Sequence, residues 1–165
     1  MTAIDSVGGD WDVAASWNPA QVPTAGDKVT ILAGDTITLT QNELAGSVVI
    51  NSTGIIIGGG FKVTLNDAAG STYIFSSVGT ISAASTLDID ITGGSTTRPI
   101  NEAGAGGITN LTINNAQTYT LQYGLTLLGN LTITAGTLDT ARASDSVDQT
   151  LTVTGAIDIT GTLTG

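Results

Sequence analysis

The sequence predicts an all-β fold: a single-stranded β-solenoid (parallel β-helix) with 20–24-residue rungs and an irregular N-terminal cap or arm. Short runs of alternating apolar and polar residues return at a regular spacing, so that Leu111, Leu131 and Leu151 are evenly spaced along the chain. Helix-forming residues are scarce, with two Glu, two Lys and one Met, whereas Thr and Gly are abundant. These observations together favour stacked strands over helices.

Alternation gives each run a buried face and a solvent-facing one, because successive side chains of a strand point to opposite sides. In the run 131–134 we expect Leu131 and Ile133 to point inward. Thr132 and Thr134 should point outward. The same alternation in the other runs predicts one shared apolar interior.

The regular spacing extends toward the N-terminus with a slightly longer period. The interval from Val63 to Leu87 equals the interval from Leu87 to Leu111. We therefore expect these three residues to stack. Outward-facing Thr residues should stack in the same way, at positions 112, 132 and 152.

Composition and charge exclude several functional classes. The chain has no Cys and no His, so it has no disulfides and lacks the commonest general base and metal ligand. Its net charge of −10 repels phosphate, which argues against direct binding of nucleic acid. The N-terminus lacks a secretory pattern and no apolar run is long enough to cross a bilayer, so we expect a chain made in a cytoplasm, without a membrane span.

Residues 1–25 differ from the predicted solenoid at 26–165. This segment holds Trp11 and Trp17, together with Pro19 and Pro23, and it has no clean alternation. The Trp residues suit a cover over the first rung, because an open end exposes apolar side chains and strand edges. The alternative is a surface on which Trp contacts a partner.

The opening of the chain also resembles a known type of module. Trp11 and Trp17 are separated by five residues, and the segment from Val22 to Ile31 follows as Val-Pro-Thr-Ala-Gly-Asp-Lys-Val-Thr-Ile. This opening segment, from position 1 to about position 40, is similar to the start of β-solenoid modules in bacteriophage structural proteins and bacterial surface proteins. The resemblance implies a fold, and a place in a virion or on a cell surface, rather than an activity.

Alternation and turn residues predict the remaining elements in order, with 41–45 as a helical turn or a corner. The predicted strands are 26–31, 36–40, 47–50, 55–57, 61–65, 73–75, 80–81, 87–91, 108–114, 119–121, 125–128, 131–134, 137–140, 151–154, 156–160 and 162–164.

Two stretches read as loops, 93–107 and 141–149, and the first carries Arg98. Loops that project from a stacked fold often make its contacts. No cover is visible after the last predicted strand. We therefore expect that end either to meet another chain or to continue into a longer protein.

Carboxylates on outward strand faces are the candidates for chemistry, namely Asp88, Asp90, Asp139 and Asp158. They could form a metal site or a glycosidase pair. Outward carboxylates are more often simply solvated, and no basic residue lies near Asp88 and Asp90 in the sequence. We therefore expect no enzyme activity, no cofactor and no metal.

Two further motifs have structural explanations. Asn51, Asn110 and Asn130 begin Asn-x-Thr glycosylation motifs, but without a secretory signal they are expected to be rung residues. A Thr-x-Thr array resembles ice-binding proteins, although here it is short and Asn114 interrupts it.

Elimination and resemblance together predict a non-enzymatic virion structural protein. The leading hypothesis is a bacteriophage capsid decoration (cement) protein that docks on the shell and stabilises it, on the exterior of the virion. The expected partners are the major capsid protein or another virion protein, with a homotrimer as the assembly and no nucleic acid or membrane. Docking is assigned to Trp11, Trp17, Pro19, Pro23 and Arg98.

Three alternatives remain at this stage. A tail-associated location would keep the virion role. A surface adhesin or a carbohydrate-binding module of a tail spike would make the chain a binding module. A Thr-ladder ice-binding protein comes last.

Overall fold

The computed structural model describes residues 3–66, 71–94, 98–142 and 144–165. These residues form short β-strands and one 3₁₀ turn, Ala14–Ser16, so the all-β prediction is confirmed. The strands are β1 (Ala3–Ser6), β2 (Gly9–Asp10), β3 (Trp17–Asn18), β4 (Lys28–Ile31), β5 (Thr36–Thr38), β6 (Glu43–Ala45), β7 (Ser47–Ile50), β8 (Ile55–Ile57), β9 (Phe61–Leu65), β10 (Phe75–Ser77), β11 (Thr80–Ile81), β12 (Leu87–Ile91), β13 (Arg98–Glu102), β14 (Asn110–Leu121), β15 (Leu125–Leu127), β16 (Leu131–Asp139), β17 (Leu151–Val153), β18 (Ile157–Ile159) and β19 (Thr162–Thr164).

The strands stack in three rows, which we call lines, and the chain passes through the three lines in a repeating order. We call one passage through the lines a circuit. The first line holds β1, β4, β7, β10, β13, the second halves of β14 and β16, and β19. The second holds β2, β5, β8 and β11, and further along β15 and β17. The third holds β6, β9, β12, the first halves of β14 and β16, and β18.

Two long strands join the first and third lines into a single sheet. β14 and β16 run through the corner between these lines, so that 13 strands form one curled sheet. Their mutual register shifts at Asn114, where the strands bend. Gly136 lies at this corner of β16 with φ of 83°, and a side chain there would meet the carbonyl oxygen of Asn115 at 1.9 Å. Only glycine fits such a bend without displacing the neighbouring backbone.

One hydrophobic core fills the inside of the curled sheet. Leu131 and Ile133 are fully buried, whereas Thr134 is exposed and Thr132 half-buried, which confirms the predicted inward and outward faces. Leu111 pairs with Leu131 across adjacent strands, as the even spacing of the leucines predicts.

The predicted position of Leu151 is wrong. Leu151 pairs with Leu125 in the second line, and it is Ile157 that follows Leu131 in the third. The intervening residues 141–150 include an antiparallel bridge between Ala141 and Asp148, which lengthens this circuit. The even spacing of the last Leu-Thr pair is therefore a coincidence of sequence and does not reflect stacking.

The predicted stacking of Leu87 is also displaced. Leu87 pairs with Phe61, and Ile89 lies between Val63 and Leu111. The predicted partner is displaced by two positions, and a shift by an even number keeps every side chain on its own face of the strand. The inward residues were therefore identified correctly although their partners were not.

The expected similarity to the regular β-solenoid of bacteriophage virion proteins is wrong for this chain. The first and third lines form one curled sheet that also contains an antiparallel pair, β1 with β3. The sequence interval between paired residues is much shorter for Lys28 and Ser47 than for Gly9 and Ile37, so the circuits have no fixed length. Turns of variable length between short strands cause this irregularity.

Two local predictions also need correction. Residues 98–102 form β13, so Arg98 lies on a strand rather than in a loop, while residues 95–97 of the predicted loop lie outside the described residues. Glycine-rich flanks concealed this strand, whose inward residue Ile100 is buried. Residues 43–45 form β6 instead of a helical turn.

Candidate interaction surfaces

The N-terminal end of the core is covered by two indole rings. Trp11 is 0% exposed and Trp17 is 2% exposed, and their rings meet edge to face with centroids 5.1 Å apart. The indole N–H of Trp17 donates a hydrogen bond of 2.7 Å to the carbonyl oxygen of Trp11. Nearby, β3 pairs antiparallel with β1. Both Trp rings therefore belong to the core and present no surface to a partner.

The remaining predicted docking residues occupy different surroundings. Pro19 is exposed and follows a cis peptide bond with Asn18, whereas Pro23 is buried. Arg98 is half-buried and pairs with Tyr119. It lies four strands from β1 along the first line, which is roughly 19 Å at the usual strand spacing. The structure therefore does not gather the predicted docking residues into one surface.

The C-terminal end of the core is open. Ile157, Ile159 and Leu163 are 54%, 37% and 38% exposed. Their partners in the preceding circuit, Leu131, Ile133 and Leu138, are 0% exposed. Leu151 and Val153 of β17 are half-buried beside them. We call β17, β18 and β19 the C-terminal circuit, and its exposed side is the end face.

The candidate carboxylates Asp88 and Asp90 each bind a neighbouring residue. Asp88 accepts hydrogen bonds from the backbone N–H and the side-chain amide of Asn110, at 3.2 and 2.8 Å. The ammonium group of Lys62 lies 2.6 Å from the carboxylate of Asp90. Lys62 is distant in sequence but adjacent in the third line, so sequence proximity missed this ion pair.

The candidate carboxylates do not converge on one site. Asp90, Thr112, Thr132 and Asp158 stand in one row on consecutive strands, which places the two carboxylates about 14 Å apart. Asp139 lies in the first line, where it accepts a hydrogen bond from the N–H of Ala141. Within the described residues, no group of three acidic residues is arranged to hold a metal ion. The predicted stacking of Thr152 on Thr132 is therefore wrong, because Asp158 follows Thr132 in this row and Thr152 pairs with Thr126 in the second line.

Asparagine side chains connect successive circuits. The side-chain oxygen of Asn110 accepts a hydrogen bond of 2.8 Å from the N–H of Asn130. The side-chain oxygen of Asn130 accepts an equivalent bond of 2.8 Å from the N–H of Ala156. In the same way, the carboxylate of Asp88 accepts a hydrogen bond from the backbone N–H of Asn110. This asparagine ladder confirms that Asn110 and Asn130 are structural residues of their circuits.

Three carboxyl groups have altered pKa values. Burial raises the pKa of Glu102 to about 6, an effect opposed in part by a hydrogen bond from the backbone of Thr126. Burial also raises the pKa of Glu43. A hydrogen bond from Arg142 lowers the pKa of exposed Asp145. The charge of Asp12 also contributes to the raised pKa of Glu43, but within the described residues no three acidic residues are grouped to hold a metal ion.

No family model, curated protein or solved structure matches this chain. The resemblance of the opening segment to phage and surface β-solenoid modules therefore has no support from known proteins. Among the described residues, no helix has the length and apolar character needed to cross a membrane.

Proposed function

We propose that this chain is a non-enzymatic structural protein that acts by binding other protein subunits, and that capsid decoration is its setting. The observation that carries the proposal is the contrast between the two ends of its core. One end is covered by Trp11 and Trp17, whereas the other exposes Ile157, Ile159 and Leu163. Clustered exposed aliphatic side chains on a folded protein are typical of protein-binding surfaces.

Charge supports a protein partner. With 14 acidic and four basic residues, the chain favours contact with neutral or basic protein surfaces over contact with phosphate. Asp88, Asp90 and Asp139 are held by neighbouring residues, which suits a structural role better than catalysis.

Two separate surfaces are candidates for two different contacts, one with the shell and one with a neighbouring subunit. Exposed Pro19, near the covered end, is the remaining candidate for docking on a shell, with Trp11 and Trp17 supporting it from within the core. Arg98 stays a weaker candidate for a neighbour contact. The homotrimer expected from the sequence is a proposal that sedimentation can decide.

The test is to look for the chain in assembled particles. Virus particles produced by the source of this sequence should be purified on a density gradient and their proteins identified by mass spectrometry. We expect peptides of this chain to co-migrate with the major capsid protein in a fixed ratio. Adding purified protein back to stripped particles should raise the temperature at which they release their genome.

The contrary outcome is equally clear. If the chain is found only in the unassembled protein at the top of the gradient, capsid decoration is excluded. A Pro19→Glu variant that restores particle stability as well as the parent would exclude docking through the covered end. An equal loss with Leu44→Glu, which alters a 49% exposed leucine elsewhere, would show that the effect is not specific to position 19.

A further inference from the structure

The third line begins with a carboxyl group on its inward side. Glu43 of β6 pairs with Val63, and Ile89 and Leu111 follow in the same row on the next strands. These three aliphatic residues are at most 1% exposed, and Glu43 is 5% exposed. An ionisable side chain therefore occupies a position that the later strands of this line fill with aliphatic residues.

The carboxyl group of Glu43 lies close to the segment that covers this end of the core. We call residues 9–18, which contain β2, the 3₁₀ turn and β3, the cover segment. Asp12 of this segment is near enough for its charge to act on Glu43. The Asp12 carboxylate accepts a hydrogen bond of 3.1 Å from the hydroxyl of Thr40, and the N–H of Trp11 donates to the carbonyl oxygen of Thr38 at 2.9 Å. The cover segment therefore packs against the corner that leads into β6.

Two buried polar atoms at this end have no hydrogen-bond partner among the described residues. They are Oε1 of Glu43 and Nε1 of Trp11. Gln41 provides the carboxyl group of Glu43 with a side-chain hydrogen bond, but Oε1 stays unpaired. A buried carboxylate needs hydrogen bonds to its oxygens, whereas the neutral carboxyl group loses less on burial. Ionisation of Glu43 is therefore costly while the cover segment is closed.

The charged groups around Glu43 do not compensate an ionised carboxylate. The charged residues of the cover segment are Asp10 and Asp12, and both are acidic and exposed. On the adjacent strand β9, Lys62 extends on the outward side and pairs with Asp90. Burial raises the pKa of Glu43, a side-chain hydrogen bond opposes this in part, and the charge of Asp12 raises it further. The closed cover segment therefore favours the protonated form of this side chain.

Short strands hold the cover segment on the rest of the molecule. β2 and β3 are two residues long, and they pair with β5 and β1. Gly8 and Gly9 lie where the segment begins, with φ of 89° and 123°, a region that glycine adopts readily. A short segment that begins at such a hinge can open locally while the longer strands stay folded.

We propose that the cover segment responds to pH, staying closed over the core while Glu43 carries a proton and opening more readily once Glu43 is ionised. The closed form binds this proton more tightly than the open form, in which the side chain meets water. The stabilisation of the closed form is complete below about pH 4.5, the ordinary pKa of Glu, and declines as the pH rises through the raised pKa. The cover segment responds in this way in the free chain, so the device goes beyond the proposed function and needs no capsid.

Hydrogen exchange at the indole N–H groups tests the proposal, because both Trp residues of the chain lie in the cover segment. NMR compares the exchange rates of the parent and of Glu43→Gln at each pH, so that the intrinsic pH dependence of exchange cancels. Gln cannot titrate and has nearly the shape of protonated Glu. We expect equal rates at about pH 4, and roughly tenfold slower exchange in the variant at about pH 7.

Glu102→Gln is the matched control, because Glu102 is the other Glu of the chain and lies on β13, four strands from β1 in the first line. It should leave the indole exchange rates of the parent unchanged at both pH values. The backbone amides of β12 should exchange alike in the parent and in Glu43→Gln, because the opening is local. Asp12→Asn, at an exposed position, should slow indole exchange at about pH 7 by a smaller factor than Glu43→Gln.

A ratio of parent to Glu43→Gln indole rates that is the same at every pH would overturn the proposal. The same slowing at the amides of β12 would also overturn it, because Glu43 would then act on the whole fold. If Glu43→Gln does not fold, as judged by circular dichroism, the decision falls to Asp12→Asn. Indole exchange in that variant equal to the parent's at about pH 7 would then contradict the proposal.

Discussion

Leu131 stands at the centre of the third line, between Leu111 and Ile157, and is fully buried. Leu131→Asp would place a carboxylate in the hydrophobic core, and burying an unpaired charge is among the most destabilising of substitutions. We expect a loss of about 4–5 kcal/mol or complete unfolding, measured by urea denaturation.

Leu44→Asp is the comparison for that variant, because Leu44 is exposed on the outward side of β6. It should change the free energy of unfolding by no more than about 0.5 kcal/mol. If both variants were equally stable, the assignment of inward and outward faces would be wrong.

Glu102 makes the stability of the fold depend on pH. Burial raises its pKa from 4.5 to about 6, so the folded chain binds this proton more tightly than the unfolded chain does. The contribution of this group to the free energy of unfolding is therefore complete below about pH 4.5 and declines as the pH rises through about 6.

Glu102→Gln removes this dependence, since an amide does not titrate, and it keeps an oxygen to accept the hydrogen bond from Thr126. Relative to the parent, the variant should gain stability between about pH 4.5 and 6 and then keep a constant difference. Urea midpoints at a series of pH values measure this, and the raised pKa of Glu43 cancels because both proteins share it. A difference that does not vary with pH would contradict the prediction.

The elements show what the sequence could predict. Alternation correctly identified Leu131 and Ile133 as inward residues, because a period of two survives errors of register. It could not place Leu151, since the bridge between Ala141 and Asp148 depends on a contact that no local pattern records. It also missed β13, whose short apolar signal at Ile100 lies among glycines and a proline.

The candidate surfaces were harder to predict for a related reason. The pairing of Lys62 with Asp90 joins residues that are distant in the chain, so sequence proximity gave no sign of it. Trp11 and Trp17 suited both a cover and a docking surface, and only their burial separates the two. The position of Ile157 next to buried Leu131 follows only from the strand register, which the sequence did not predict.

The two Trp residues offer a matched test of the covered end. The N–H of Trp17 donates to the carbonyl of Trp11, whereas the N–H of Trp11 is buried without a partner among the described residues. Trp17→Phe should therefore cost about 1 kcal/mol more than Trp11→Phe, because only the former leaves a buried carbonyl without its donor. Thermal and urea unfolding measure the difference, and equal losses would refute the role of this hydrogen bond.

The asparagine ladder can be tested at its last member. Asn130→Ala removes the acceptor for the N–H of Ala156 and should cost about 0.5–1 kcal/mol, since the bond is exposed to solvent. Asn130→Asp retains an acceptor oxygen and should stay close to the parent. Hydrogen exchange at the amide of Ala156 reports the bond directly, and equal protection in all three proteins would show that the side chain is unnecessary.

At the scale of the whole molecule, the two ends of the core differ in what covers them. The covered end has buried its aromatic residues, whereas among the described residues the end face exposes Ile157, Ile159 and Leu163.

The covered end also has a consequence for how the protein is made. Trp11 and Trp17 are synthesised before the circuits that they cover, and the cover is completed when β4 and β5 pair with β1 and β2. Every circuit added afterwards can use the one before it as a template, and the adhesive edge moves forward with the growing chain. A ribosome-bound intermediate thus carries an aggregation-prone strand edge at its newest circuit, where a chaperone can bind.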